Sequence, residues 1–123
     1  MRLNTAVPTF AVADVGATMA WYEKMLGFRG FPAPKEPPFV FASLVRDGVE
    51  LMLMGIEGYR KPDTASLRPD GYWDAYVRMT GVEAFYDEIR QRLPIRMPLA
   101  RQSYGDREFE IADPNGYVLV FSE

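Results

Sequence analysis

Two tight turns, Asp47-Gly48 and Asn115-Gly116, stand 68 positions apart, and the pattern around each is the same. Asp47-Gly48 is a two-residue hairpin signal between the apolar runs Phe39 to Arg46 and Val49 to Met54. Asp113-Pro114-Asn115-Gly116 is a turn between Arg107 to Ala112 and Tyr117 to Ser122: proline presets φ, and Asn-Gly accepts positive φ. Upstream of the first hairpin, Ala6 to Ala13 reads as a strand. Asp14 is a helix N-cap and Gly27 a helix stop, with Ala17, Met19, Ala20, Trp21, Met25 and Leu26 at helical spacing between them. A short strand follows at Phe28 to Phe31. Upstream of the second turn come a strand at Tyr72 to Met79, a helix at Val82 to Leu93 striped by Val82, Phe85, Tyr86, Ile89 and Leu93, and a strand within Pro94 to Ala100.

The order is strand–helix–strand–strand–strand, twice. A chain built this way is α+β, one domain of two βαβββ modules at residues 1–55 and 71–123. Each module is too short to be stable alone. The proline-rich stretch Pro32 to Pro38 reads as irregular, and the polar segment 56–70 as an exposed connection.

Composition narrows the chemistry. There is no His and no Cys, which removes disulfides, a thiolate nucleophile, and the commonest metal ligand and general base at neutral pH. A net charge of −3 argues against nucleic acid. No apolar run approaches the roughly 20 residues that span a bilayer, and the first residues do not form a secretory signal, so a cytoplasmic protein without membrane contact is expected.

The residues left to carry function are acids and aromatics. Glu108 and Glu110 alternate onto one strand face, where they suit either acid/base work or plain solvation; solvation is the ordinary outcome. Asp74, Tyr76 and Arg78 share another face; Asp74 is an exposed strand end or an acidic anchor for a cationic group, unless it pairs with Arg78. Phe39, Phe41, Trp73, Tyr76 and Tyr104 lie on strands or their flanks, as cavity lining or as core. Trp21, Tyr22, Phe85 and Tyr86 lie on helices, as core.

The duplication, the stretch Val12-Ala13-Asp14 leading into Ala20-Trp21-Tyr22-Glu23-Lys24-Met25-Leu26-Gly27-Phe28, and the closing Asp113-Pro114-Asn115-Gly116 together resemble the glyoxalase/bleomycin-resistance/dioxygenase (vicinal oxygen chelate) superfamily. Within it, Ala6-Val7-Pro8, Val45-Arg46-Asp47, Tyr76-Val77-Arg78 and Gly105-Asp106-Arg107-Glu108-Phe109 resemble the bleomycin-resistance proteins. The resemblance implies modules that curve around a cup. It also implies that the positions holding metal in the superfamily's enzymes fall on Val7, Met52, Asp74 and Val120. Val7 and Asp74 are 67 positions apart, and Met52 and Val120 are 68 apart, in keeping with the repeat. Three of the four are apolar, so no metal and no other cofactor is expected.

The bleomycin-resistance group implies further a homodimer that sequesters a drug without chemistry, with an N-terminal strand exchanged at a hinge matching Pro8. Phe41, with Phe31 or Phe39, matches the region that stacks on the drug. Tyr104 stands where that group usually has a tryptophan. The expected ligand-binding set is Phe31, Phe39, Phe41, Met52, Asp74, Tyr76, Arg78, Tyr104, Glu108 and Val120, facing an aromatic antibiotic or metabolite, neutral or cationic. The alternative is a metal-independent isomerase, epimerase or lyase acting on a small acid through Asp74, Glu108 or Tyr104.

Overall fold

The computed structural model describes all 123 residues, which divide into two compact units, Met1–Arg60 and Lys61–Glu123. The first unit runs β1 (Thr9–Val12), α1 (Val15–Leu26), β2 (Arg29–Ala33), β3 (Phe41–Arg46) and β4 (Val49–Gly55). The second runs β5 (Ala75–Arg78), α2 (Val82–Ile89), β6 (Met97–Arg101), β7 (Arg107–Ala112) and β8 (Val118–Ser122). Each forms an open four-stranded mixed sheet, in the orders β1-β4-β3-β2 and β5-β8-β7-β6. The fold is therefore α+β, from two βαβββ modules.

The repeat holds at the level of register. In the first sheet β1 pairs in parallel with β4, Thr9 opposite Met52; in the second β5 pairs in parallel with β8, Tyr76 opposite Val120. Ser43 faces Met52 across β3–β4, and Glu110 faces Val120 across β7–β8. Ser43 and Glu110 are thus one position in two copies of a plan.

Helix α1 begins and ends where its caps dictate. The Asp14 carboxylate accepts from the Ala17 N–H at 2.9 Å, and Gly27 takes φ 70, a left-handed conformation in which its N–H reaches the Tyr22 carbonyl. The buried stripe is Val15, Thr18, Tyr22 and Leu26. Of the residues at helical spacing, Ala17 and Ala20 are exposed. Tyr22 is core as its place on the helix implies, its ring edge-on to Trp21 and Phe28, and Thr18 is buried beside it on the same stripe. The helix lies so close to β2 that a Cβ on Gly30 would stand 2.5 Å from the Met19 side chain.

Other boundaries moved for local reasons. Pro32 and Ala33 belong to β2 rather than to the irregular stretch, because β2 is an edge strand and tolerates a residue with no N–H. Helix α2 stops at Ile89, not Leu93: the residue before Pro94 is disfavoured in a helix, and Arg90 to Leu93 unwind through turns. Strand β6 starts at Met97 and its register slips before Ala100, around Pro98. Strands β1 and β5 are shorter than the alternation suggested.

The second core is aromatic. Phe109 packs against Phe85, Tyr86 and Phe121, with ring centroids 5.1–6.1 Å apart, and Phe85 meets Phe121 at 5.1 Å. These residues fill the helix face of β7 and β8. Alternation sends Glu108, Glu110, Val120 and Ser122 to the other face.

The connection at 56–70 is not wholly exposed. It holds a single 3₁₀ turn, Ala65–Leu67, and the Lys61 side chain is only 7% exposed. No helix is long and apolar enough to cross a membrane.

Candidate functional site

The face of the second sheet away from α2 carries a connected polar network. Tyr76 and Arg78 stand on β5 opposite Val120 and Ser122 of β8, and Glu108 stands on β7 opposite Ser122. The Tyr76 hydroxyl lies 2.7 Å from Glu108 Oε2, 2.9 Å from Ser122 Oγ and 3.2 Å from Asp106 Oδ2. A phenol has one proton to give, and the carboxylate of Glu108 is the nearest acceptor. The Tyr104 hydroxyl donates to the other oxygen, Oε1. Ser122 reaches Asp106 at 3.3 Å, and Arg78 pairs with Asp106 at 3.2 Å while its guanidinium lies over the Tyr76 ring.

Glu108 is 7% exposed and Glu110 6%. The ordinary outcome for alternating acids, a solvated face, is therefore wrong here. Each buried carboxylate has a partner, as burial requires: Glu108 has the two tyrosines, and Glu110 has Arg96. Burial raises the Glu110 pKa above 4.5; the Arg96 pair pulls it back only in part, and the Glu108 charge adds to the rise. Tyr76 is raised above 10.0, mainly by burial and further by Glu108. Tyr104 is raised well beyond the usual phenol range, by the burial of its hydroxyl end and by its bond to Glu108. Both phenols keep their protons at neutral pH and act as hydrogen-bond donors.

Asp74 sits at the head of β5 and is fully engaged. Its Oδ1 accepts from the Tyr72 hydroxyl at 2.8 Å, its Oδ2 from the Val118 N–H at 2.8 Å, and Lys61 Nζ lies 3.6 Å from Oδ2. Lys61 is itself boxed by the rings of Tyr72 and Tyr117, at 5.2 and 5.3 Å. Asp74 is therefore not an exposed strand end, its side chain being 15% exposed, and the alternative Asp74–Arg78 pair does not form. Four residues along a strand is about 13 Å, and each side chain has a nearer partner, Lys61 for Asp74 and Asp106 for Arg78.

On the first sheet, alternation and register put Phe31, Ser43 and Met52 in one row on the face away from α1, with Phe41 and Met54 in the next. Phe31 is exposed, with the Arg29 guanidinium 5.1 Å from its ring centroid. Ser43 donates to Glu50 on the same face. Phe39 stands apart from this row: its ring packs against Gly16 of α1.

Of the ten expected residues, the structure gathers Phe31, Phe41 and Met52 on one sheet, and Tyr76, Arg78, Glu108 and Val120 on the other, with Tyr104 reaching Glu108 from the turn before β7. Asp106 and Ser122 were missed, although alternation from Glu108 marks Asp106 as its neighbour on the same face. The four positions that would match a metal site do not fit one. Val7 and Val120 offer no ligating atom, Met52 offers only a soft thioether, and both oxygens of Asp74 are committed.

A duplicated βαβββ module with open mixed sheets, its acids tied to partners within the chain, defines a class of small two-module proteins. The chain belongs to the glyoxalase/bleomycin resistance protein/dioxygenase superfamily, whose sequence model matches residues 2–121. Solved structures share its fold, among them the following three. TioX from Micromonospora sp. ML1 is 20% identical, with 97% of this chain and 94% of that one covered and a TM-score of 0.74. The bleomycin-binding protein from bleomycin-producing Streptomyces verticillus, complexed with copper(II)-bleomycin, is 22% identical over 98% and 96%, with a TM-score of 0.72. A glyoxalase-related enzyme from Clostridium phytofermentans is 16% identical over 100% and 96%, with a TM-score of 0.76. No curated protein matches the chain at the sequence level.

Proposed function

We propose that this protein binds a planar aromatic small molecule without converting it, as a sequestering protein of the bleomycin-resistance type. The observation that carries the reading is the commitment of its acids. Asp74 is held by Lys61, Tyr72 and the Val118 N–H, and Glu108 by two tyrosine hydroxyls. What remains for a ligand is exposed apolar and aromatic surface: Phe31 and Met54 on the first module, Trp73 and Tyr104 on the second. Flat rings stack on such surfaces, and Tyr and Trp add a polar handle. The likeness to the bleomycin-binding protein of Streptomyces verticillus supports this reading at the level of fold.

Titration calorimetry against bleomycin and a panel of planar antibiotics tests it. Binding with a fixed stoichiometry, weakened by Tyr104→Ala, is expected. Silence across the whole panel refutes it.

The proposal includes a cytoplasmic homodimer in which the segment ahead of β1, hinged at Pro8, crosses to the second subunit. Met1 and Leu3 are exposed apolar side chains on that segment, suited to being covered. Sedimentation of the full chain and of Pro8→Gly tests this.

A second reading keeps one supporting observation, the burial of Glu108. A metal-independent isomerase, epimerase or lyase could use a buried carboxylate with Tyr104 as acid. Phenols whose pKa is raised are poor proton carriers near neutrality, which weighs against it. Deuterium uptake from solvent into a bound carbon acid, lost in Glu108→Gln, would favour it over sequestration.

A further inference from the structure

We infer that Glu108 sets the charge preference of the binding surface by acting through Tyr104, so that the site takes planar cations over their neutral isosteres. The inference rests on the sequestration reading and specifies the ligand class within it.

Tyr104 is an unusual combination. The residue is 59% exposed, yet its hydroxyl is fixed to a carboxylate that is 7% exposed. An exposed tyrosine ordinarily gives its hydroxyl to water and moves freely. Here the hydroxyl is spent on Glu108, whose second oxygen is held by Tyr76, itself in reach of Ser122 and Asp106. Two consequences follow. The ring is held in one orientation before any ligand arrives, which reduces the ordering cost of binding. The phenol also donates to a full negative charge, which shifts electron density from the hydroxyl into the ring and strengthens its negative face. A ring so polarised attracts a cation more than an ordinary tyrosine does. The hydroxyl has no second proton to offer a ligand, so Tyr104 cannot donate to one, and its ring face is the broad surface it presents.

Asp106 does not supply the preference directly, since Arg78 neutralises it at 3.2 Å. Glu108 is screened from contact by the two tyrosines that hold it. The route from carboxylate to ligand is therefore the Tyr104 ring.

The test uses an isosteric pair, N-methylacridinium and acridine, at a pH where acridine is neutral, with fluorescence titration of the full chain. The wild-type protein should bind the cation about two- to fivefold more tightly than acridine, the range an exposed cation–π contact supports. Tyr104→Phe keeps a ring and leaves the Glu108 charge in place, but cuts the link between them. It should bring the ratio to about one while acridine affinity falls by no more than about threefold. Glu108→Gln should do the same.

If Tyr104→Phe keeps or increases the cation preference, the carboxylate acts on the ligand directly and the inference is overturned. Equal binding of the two dyes by the wild type overturns it also, leaving sequestration intact. Failure of either dye and of every planar antibiotic to bind refutes sequestration and this inference with it. Circular dichroism of each variant checks that the fold is kept.

Discussion

Removing Asp74 should damage the fold far more than it damages binding. Asp74 and Lys61 form an ion pair at 3.6 Å, with side chains 15% and 7% exposed. At an effective dielectric near 20 the attraction at that separation is about 4–5 kcal/mol, offset by the cost of taking both charges out of water. Asp74→Ala leaves the Lys61 ammonium buried without a counter-charge and also leaves the Tyr72 hydroxyl and the Val118 N–H short of an acceptor. Truncating one side of a buried pair costs about 3–5 kcal/mol, and about 4 kcal/mol is expected here. Lys61→Met keeps the length of the side chain, and Asp74 retains its two hydrogen bonds. It should cost about 2 kcal/mol. The double variant Lys61→Met/Asp74→Asn removes both charges together and should be more stable than Asp74→Ala by at least about 1 kcal/mol, because no charge is stranded. Urea unfolding with equal slopes for all variants measures this. A cost below about 1 kcal/mol for Asp74→Ala, or a double variant as unstable as the two costs added, would show that the pair is not what holds residues 61–74. Lys61→Met should leave ligand affinity unchanged, which separates this role from the anchoring of a cationic ligand.

Other expectations follow from single positions. Gly27→Ala forces a side chain into a left-handed cap and presses its Cβ to 3.1 Å from the Arg46 guanidinium; a loss of about 1 kcal/mol in thermal unfolding is expected. The Glu110 pKa is raised on folding, so the folded chain holds that proton more tightly than the unfolded chain does. The stability this supplies is complete below 4.5 and is lost as pH rises through the folded value. Glu110→Gln has no such proton to lose, so the wild type should lose ground to it as pH rises above 4.5 and through the folded value, as chemical denaturation at each pH would show. Tyr76 and Tyr104 should ionise above the ordinary phenol range in an alkaline absorbance titration, and Glu108→Gln should bring both down, because it removes the negative charge beside them. Addition of Ni²⁺, Mn²⁺, Zn²⁺ or Fe²⁺ should leave the melting temperature unchanged; a rise of several degrees would show a ligand set that Val7, Met52, Asp74 and Val120 do not supply.

The architecture was legible because its signals are local. Asp14 and Gly27 bound α1 through hydrogen bonds and a φ angle that depend on a few neighbouring residues, and the strand β7 with its following turn rests on alternation and on Asp113, which accepts from the N–H groups of Asn115 and Tyr117. The site was legible only as a face. Alternation placed Tyr76 and Arg78 together, and Glu108 with Glu110, but their burial depends on pairing between strands far apart in sequence. Lys61 shows the limit most clearly. A lysine beside a proline in a polar segment reads as solvated, and nothing within ten residues reveals that Tyr72, Asp74 and Tyr117 enclose it. For Asp74 the sequence offers only Arg78 as a partner on its own strand, whereas its partners come from β8 and from residues upstream of β5.

The shared register of the two sheets carries one more consequence. Phe41 and Ser43 occupy, in the first module, the positions that Glu108 and Glu110 occupy in the second. The chain thus contains the same backbone site twice, once with a carboxylate and once without. What a buried acid does to such a strand can be measured against its twin in the same molecule and the same tube, by exchanging the residues and leaving the fold to serve as its own control.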